Sequence, residues 1–240
     1  MSDFLLIHGA WHGAWCWNPV VERLKAAGHR VCAPTLAGLG ERAAELSPAI
    51  GLHSHLEDVL QALDSMPSDR VVVGAHSYGG MLARGLVNIA VDRLEAVLYL
   101  DAYVPQSGQN GLDLRTPQAN HDLWEELEKG WRVPPPDAKK FGLPEGELKT
   151  WVQERLTAMP VSCFRESFAL QNTSLFRPRA AYLRTAWPNP SMDRHFHEFA
   201  SLGLRAERWD CGHIAMLEKP EETFRLLEQV ASDQISSTVT

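Results

Sequence analysis

The chain has 240 residues, of which 45% are hydrophobic, and a formal charge of −7. That length and apolar content suit one domain with a large core, or one domain carrying an insertion. The negative charge would be repelled by a phosphate backbone, so nucleic-acid binding is excluded as a working expectation.

In chain order the apolar pattern predicts a strand over 4–7, a helix over 15–27 closed by Gly28, and a strand over 30–33. Pro34 and a glycine-bearing loop at 38–40 follow. A helix is predicted over 53–65, with Leu56, Val59, Leu60 and Leu63 at helical spacing, Ser54 and Glu57 reading as a capping box, and Pro67 beyond its end. A strand over 70–75 contains Val71-Val72-Val73, a β-branched run without polar alternation, as in a parallel sheet covered on both faces. A helix over 78–91 and a buried strand over 96–100 come next. Strands and helices alternate, so the class is α/β with a mostly parallel sheet.

Between residues 107 and 178 the alternation fails. Helical stretches over 118–129, 144–157 and 162–171 and the run Pro134-Pro135-Pro136 read as an inserted helical lid. The alternation then resumes with a strand over 180–184, a helix over 192–202, a strand over 204–209 and a helix over 220–231. The reading is therefore a core of residues 1–106 and 179–232, a lid over 107–178 and a flexible tail over 233–240. The core sheet should hold about six strands. The first strand lacks a basic flank and is interrupted by His8, so neither a signal peptide nor a membrane span is expected. Cys16, Cys32, Cys163 and Cys211 show no CxxC spacing, which suits a reduced, cytoplasmic protein.

The sharpest motif is Val73-Gly74-Ala75-His76-Ser77-Tyr78-Gly79-Gly80, a buried strand running through small-x-Ser-x-Gly into a helix. A turn that tight strains the serine backbone and needs small neighbours two residues away on each side. It lifts the hydroxyl to the sheet's C-terminal edge, at a helix N-terminus that favours developing negative charge. Ser77 is the candidate nucleophile. The loop after the first strand, His8-Gly9-Ala10-Trp11, should supply one backbone donor for an oxyanion and the residue after the serine the other, so Ala10 and Tyr78 are assigned.

The candidate base is His213, in Trp209-Asp210-Cys211-Gly212-His213 after the last strand. Among the ten histidines, His76 should point away from the serine hydroxyl, and His8 and His12 read as scaffolding. The pairs His53/His55 and His195/His197 are spaced two apart on helices, the wrong faces for a shared metal, so no metal is expected. The acid has two candidates. The loop after the strand over 180–184 holds no carboxylate before Asp193, whereas Asp101 closes the buried strand over 96–100, where a lone charge needs a partner. Asp101 is assigned, with Asp193 as the alternative. Trp11 beside the oxyanion loop and the lid's Trp124 and Trp131 are the candidate substrate contacts.

The opening Ile7-His8-Gly9-Ala10-Trp11-His12-Gly13-Ala14-Trp15, the segments Gly28-His29-Arg30-Val31 and Pro34 to Arg42, and His76-Ser77-Tyr78-Gly79-Gly80 resemble one branch of the α/β-hydrolase superfamily. That branch holds plant methyl esterases, hydroxynitrile lyases and bacterial pyrethroid-hydrolase-like esterases. The likeness is good over the first hundred residues or so, adequate around Gly212-His213 and poor in the lid. It implies hydrolysis of a small-molecule carboxylic ester or thioester without a cofactor. Two departures stand out. The plant members carry an aspartate after the penultimate strand, and this chain does not. The lyases use a lysine after the histidine and a threonine near the oxyanion loop, where Ile214 and Ala10 stand here, so lyase chemistry is not expected. A cofactor-free dioxygenase or a non-catalytic ligand binder on the same scaffold remains the rival reading. A homodimer is compatible with the sequence, which does not fix the assembly.

Overall fold

The computed structural model describes residues 1–116, 130–172, 174–175 and 177–232. Its main sheet is six-stranded, in the order β2-β1-β3-β4-β7-β8, and every pairing in it is parallel. The strands are β1 (Asp3–Ile7), β2 (Arg30–Cys32), β3 (Val71–His76), β4 (Leu94–Leu100), β7 (Arg179–Thr185) and β8 (Arg205–Trp209). The short β5 (Arg132–Val133) and β6 (Met159–Pro160) form a separate antiparallel pair.

Strand pleating explains the two-sided core. Leu5, Ile7, Val71, Val73, Val97 and Tyr99 face one apolar cluster with helices α2 (Leu52–Asp64), α3 (Gly79–Ala90) and α4 (Pro190–Ser201). Phe4, Leu6, Val72, Ala96, Leu98 and Leu100 face the other, with α1 (Asn18–Ala26) and α5 (Pro220–Ser232). With helices on both faces, near-continuous apolar strands are what a parallel sheet requires. Strand order reverses between β1 and β3. Open α/β sheets bind ligands in the crevice outside such a reversal.

The six strands and the major helices lie where the periodicity puts them, within a few residues. Three local readings change. Helix α2 starts at Leu52 rather than at a Ser54 cap. Ser54 Oγ accepts from the Gly51 N–H at 3.3 Å, and Glu166, from the stretch between β6 and β7, accepts from the His53 N–H at 3.2 Å. A distant carboxylate thus takes the capping place that local sequence assigns to a neighbour. The helices expected over 144–157 and 162–171 shorten to Glu147–Gln153 and Ser162–Arg165. Beyond Arg165 the chain extends so that Phe168 and Leu170 reach the core. The stretch 118–129 and the tail 233–240 lie outside the described residues. No helix among the described residues is long and apolar enough to cross a membrane.

Candidate active site

Three loops at the C-terminal ends of β1, β3 and β4 converge, and each holds a non-glycine residue with positive φ. These are Trp11 at +64°, Ser77 at +54° and Asp101 at +44°. For bulky or branched side chains this backbone region is costly and persists only where the surroundings enforce it. Here the enforcement is visible. The Ser77 N–H donates to the Leu100 carbonyl at 3.2 Å, and the Ser77 carbonyl accepts from Gly80 at 3.1 Å and Tyr103 at 3.0 Å. The Asp101 N–H donates to the Leu183 carbonyl at 2.7 Å. Gly79 passes so close to β1 that a Cβ there would stand 2.8 Å from the Ile7 carbonyl oxygen. At Gly80 a Cβ would overlap the Tyr103 carbonyl.

These bends bring together Ser77, His213 and Asp101. The Ser77 hydroxyl lies 2.9 Å from His213 Nε2, and His213 Nδ1 lies 2.7 Å from Asp101 Oδ2. The fully buried Asp101 carboxylate can only accept, so Nδ1 carries the proton and Nε2 is left to accept from the serine hydroxyl. The base is gripped on all sides. The Trp187 ring sits 4.0 Å from the His213 ring, and the Phe141 ring stacks at 5.9 Å. The Phe141 carbonyl accepts from the His213 N–H at 2.8 Å, and the His213 carbonyl accepts from His76 Nε2 at 3.0 Å. Gly212 is needed because a Cβ there would crowd Glu218 and the Phe141 carbonyl.

Asp193 is elsewhere. It accepts from Arg184 Nε at 3.0 Å and from Arg208 Nη2 at 3.2 Å, on the solvent side of Arg184. Burial pushes its carboxyl up, and the two guanidinium groups outweigh that and hold it below the usual carboxylate range. Sequence reasoning missed Arg184 and Thr185. Arg184 Nη1 donates to Asp101 Oδ1 at 3.0 Å, and Thr185 donates to the same carboxylate through its amide at 3.2 Å and its hydroxyl at 2.9 Å.

The remaining histidines near the site are hydrogen-bonding scaffold. His8 donates from Nδ1 to the Gly9 carbonyl at 2.8 Å and accepts at Nε2 from the Leu36 N–H at 3.1 Å. His12 donates from Nδ1 to the Ala10 carbonyl at 2.7 Å. His55 donates from Nε2 to the Ala37 carbonyl at 2.9 Å and accepts the Tyr78 hydroxyl at Nδ1 at 3.0 Å. Burial lowers His8 to about 3 and His12 to about 4, and also lowers His55 and His76. These imidazoles are therefore neutral near pH 7.

Above the serine is a cavity whose walls include Ala10, Trp11, Tyr78, Phe141, Phe164 and Trp187. Both residues assigned as oxyanion donors thus face the same space as Ser77. Trp131 does not line it and is 40% exposed. Its carbonyl accepts from the Val161 N–H at 2.8 Å, which ties it to the β5–β6 ribbon away from the serine. Trp124 lies outside the described residues. Of the stretch between β4 and β7, Phe141 and Phe164 line the wall, and Trp131 does not.

A family profile described as "Alpha/beta hydrolase family" matches residues 4–226. Among curated proteins, the chain is 29% identical to a carbendazim hydrolyzing esterase of Nocardioides sp. (strain SG-4G), covering 97% of this chain and 99% of that one. It is 34% identical to methylesterase 10 of Arabidopsis thaliana, over 97% and 92% of the two chains. Among solved structures, an extracellular α/β-hydrolase from a Paenibacillus species superposes with a TM-score of 0.83 at 19% identity, covering 97% of this chain and all of that one. A pyrethroid hydrolase from Sphingobium faniae JZ-2 superposes at 0.75 with 18% identity, over 97% and 98% of the chains. At such identities the superpositions speak for the fold.

Proposed function

The chain belongs to the alpha/beta hydrolase family, and from that premise we propose that it hydrolyses a small carboxylic ester through an acyl-enzyme on Ser77. The observation that carries the reading is the 2.9 Å contact between the Ser77 hydroxyl and a His213 imidazole whose other nitrogen is held by Asp101. His213 Nε2 takes the serine proton as Oγ attacks the ester carbonyl carbon. Asp101 accepts from Nδ1–H throughout and stabilises the imidazolium that forms. The carbonyl oxygen, now an anion, is received by the Ala10 and Tyr78 amides, each worth on the order of a hundred- to a thousand-fold in rate. The imidazolium gives its proton to the departing alkoxide. Water, deprotonated by the same imidazole, then cleaves the acyl-enzyme and frees Ser77.

The walls favour an apolar or aromatic substrate. Trp11, Phe141, Phe164 and Trp187 offer ring faces and edges, while Tyr103 and Arg115 add polar groups at the rim, with Arg115 Nη1 donating to the Tyr103 hydroxyl at 3.4 Å. The inserted segment supplies Phe141 and Phe164 and acts as the cover. The names of the curated relatives, a carbendazim hydrolyzing esterase and a methylesterase, fit a small ester, with thioesters the neighbouring class. The free cysteines suit a reducing compartment, which we take to be the cytoplasm. Ile214, buried where the lyases use lysine, leaves cyanohydrin cleavage without its cation.

The test is turnover of activated aryl esters of graded acyl size by the native chain and by Ser77→Ala. The reading requires turnover in the first and its loss in the second. Turnover that survives Ser77→Ala would overturn it.

A further inference from the structure

We propose that Arg184 is a positioning residue that sets how acidic the medium can become before His213 is lost as a base, an inference that rests on the catalytic reading above. Its guanidinium is hydrogen-bonded to the oxygen of Asp101 that His213 does not use, and so offsets part of the negative charge that an imidazolium would feel.

The geometry is specific. Arg184 is 3% exposed and Asp101 is fully buried. One face of the carboxylate meets His213 Nδ1 at 2.7 Å, the other meets Arg184 Nη1 at 3.0 Å. The carboxylate is thus shared between two cations once His213 is protonated, and between a cation and a neutral ring before that. Buried like charges on either side of one anion repel, so the arginine disfavours the imidazolium. Arg184 also donates to the Thr185 carbonyl at 2.6 Å, the Trp187 carbonyl at 2.7 Å and the Asn189 carbonyl at 3.1 Å. Through these it holds the loop whose Trp187 ring lies against His213.

Contact with the Asp101 carboxylate sets Arg184 apart from the other groups facing His213. From β3 and the loop after β1 come His76 and His12, both kept neutral by burial. From its own loop comes Cys211, whose thiol burial pushes up to about 12. From the helix after it comes Glu218, which accepts from the Gly212 N–H at 3.1 Å and whose carboxyl burial pushes up; when ionised it favours the imidazolium, the opposite sense. The cavity rim holds Arg115, which shares the space above the serine. On its solvent side Arg184 is balanced in turn by Asp193, 39% exposed.

The test is the pH profile of kcat/KM on an activated ester, and of fluorophosphonate labelling, for four proteins: native, Arg184→Met, Arg184→Lys and Asp193→Asn. Arg184→Met removes the charge and should raise the acid midpoint by about one pH unit. Arg184→Lys keeps the charge and loses the fork, so its midpoint should stay near the native value while kcat falls. Asp193→Asn unmasks the arginine and should move the midpoint the other way, by less, because that carboxylate is partly screened by solvent. A merely structural arginine would not produce shifts of opposite sign. The inference is overturned if Arg184→Met leaves the midpoint in place or lowers it, if Arg184→Lys shifts as far as Arg184→Met, or if Asp193→Asn fails to lower it. Should Arg184→Met not fold, Asp193→Asn decides by its own criterion, and Arg184→Lys overturns the inference if its midpoint lies about one pH unit or more above the native value. A Ser77→Ala control separates the failures. Labelling that persists there sinks the catalytic reading, whereas labelling lost there with unmoved midpoints sinks only the role of Arg184.

Discussion

Asp101 does two incompatible-looking things at one position. It sits with φ at +44° directly after the buried run Ala96-Val97-Leu98-Tyr99-Leu100, and it carries a buried charge. Both costs are met by the partners it gathers: His213, Arg184, and the amide and hydroxyl of Thr185. Removing its charge while keeping its shape should cripple the base, since an amide can present its N–H to Nδ1 and select the wrong tautomer. Asp101→Asn should therefore lower kcat by on the order of 10³- to 10⁴-fold. Asp193→Asn, measured at pH 8 in parallel, should stay close to native. A crippled Asp193→Asn beside an active Asp101→Asn would reverse the assignment. The sequence made the Asp101 candidacy visible because an ionisable residue closing the run Val97-Leu98-Tyr99-Leu100 needs a partner. It did not make Arg184 visible. An arginine at a strand end reads like any solvated charge, and its partner lies 83 residues away on the neighbouring strand. The direction of Trp131 was equally illegible, because aromatic content in an inserted segment does not say which rings turn inward.

At the level of elements, the bend between β3 and α3 is held from outside as much as from within. Gly79 lies against the carbonyl oxygens of Ile7 and His8, and Gly80 against the Tyr103 carbonyl. Neither neighbour is a flexible side-chain end that could swing away. Gly79→Ala should then displace the serine turn from β1, and so disturb the Ser77–His213 contact. We expect a loss of at least about 1 kcal/mol in stability, read by urea unfolding, together with a larger loss in kcat. A variant with native stability and native kcat would show that the bend is not confined in this way. The motif was legible for the same reason, since only small residues fit two places from the serine. The start of α2 was not legible, because its cap Glu166 lies between β6 and β7, 113 residues from His53.

For the whole molecule, the parallel sheet carries its polar machinery along one edge and must bury several imidazoles to do so. His8 and His12 titrate near 3 and 4 in the fold and near 6.5 when unfolded, and His55 and His76 are lowered as well, all chiefly by burial. Above pH 6.5 this costs nothing. As pH falls below it the unfolded chain takes up protons that the native state refuses, so stability declines with a slope of up to about 1.4 kcal/mol per pH unit for each such group. Melting temperature should therefore fall steadily from pH 6.5 towards pH 4, even where activity has already stopped changing. A flat melting temperature across that interval would mean that these rings are not buried neutral. The places of the strands along the chain and the parallel class of the sheet were legible from the apolar runs and their alternation with helices, whereas the spatial order of the strands and the fine structure of residues 107–178 were not, since both are fixed by contacts between distant segments. One residue of the chain must be the nucleophile, and intact-protein and peptide mass spectrometry after treatment with a fluorophosphonate identifies it directly. One adduct per chain on the peptide holding Ser77, absent after His213→Ala, is the predicted result, and an adduct on any other residue, or none on a folded native chain, would contradict it.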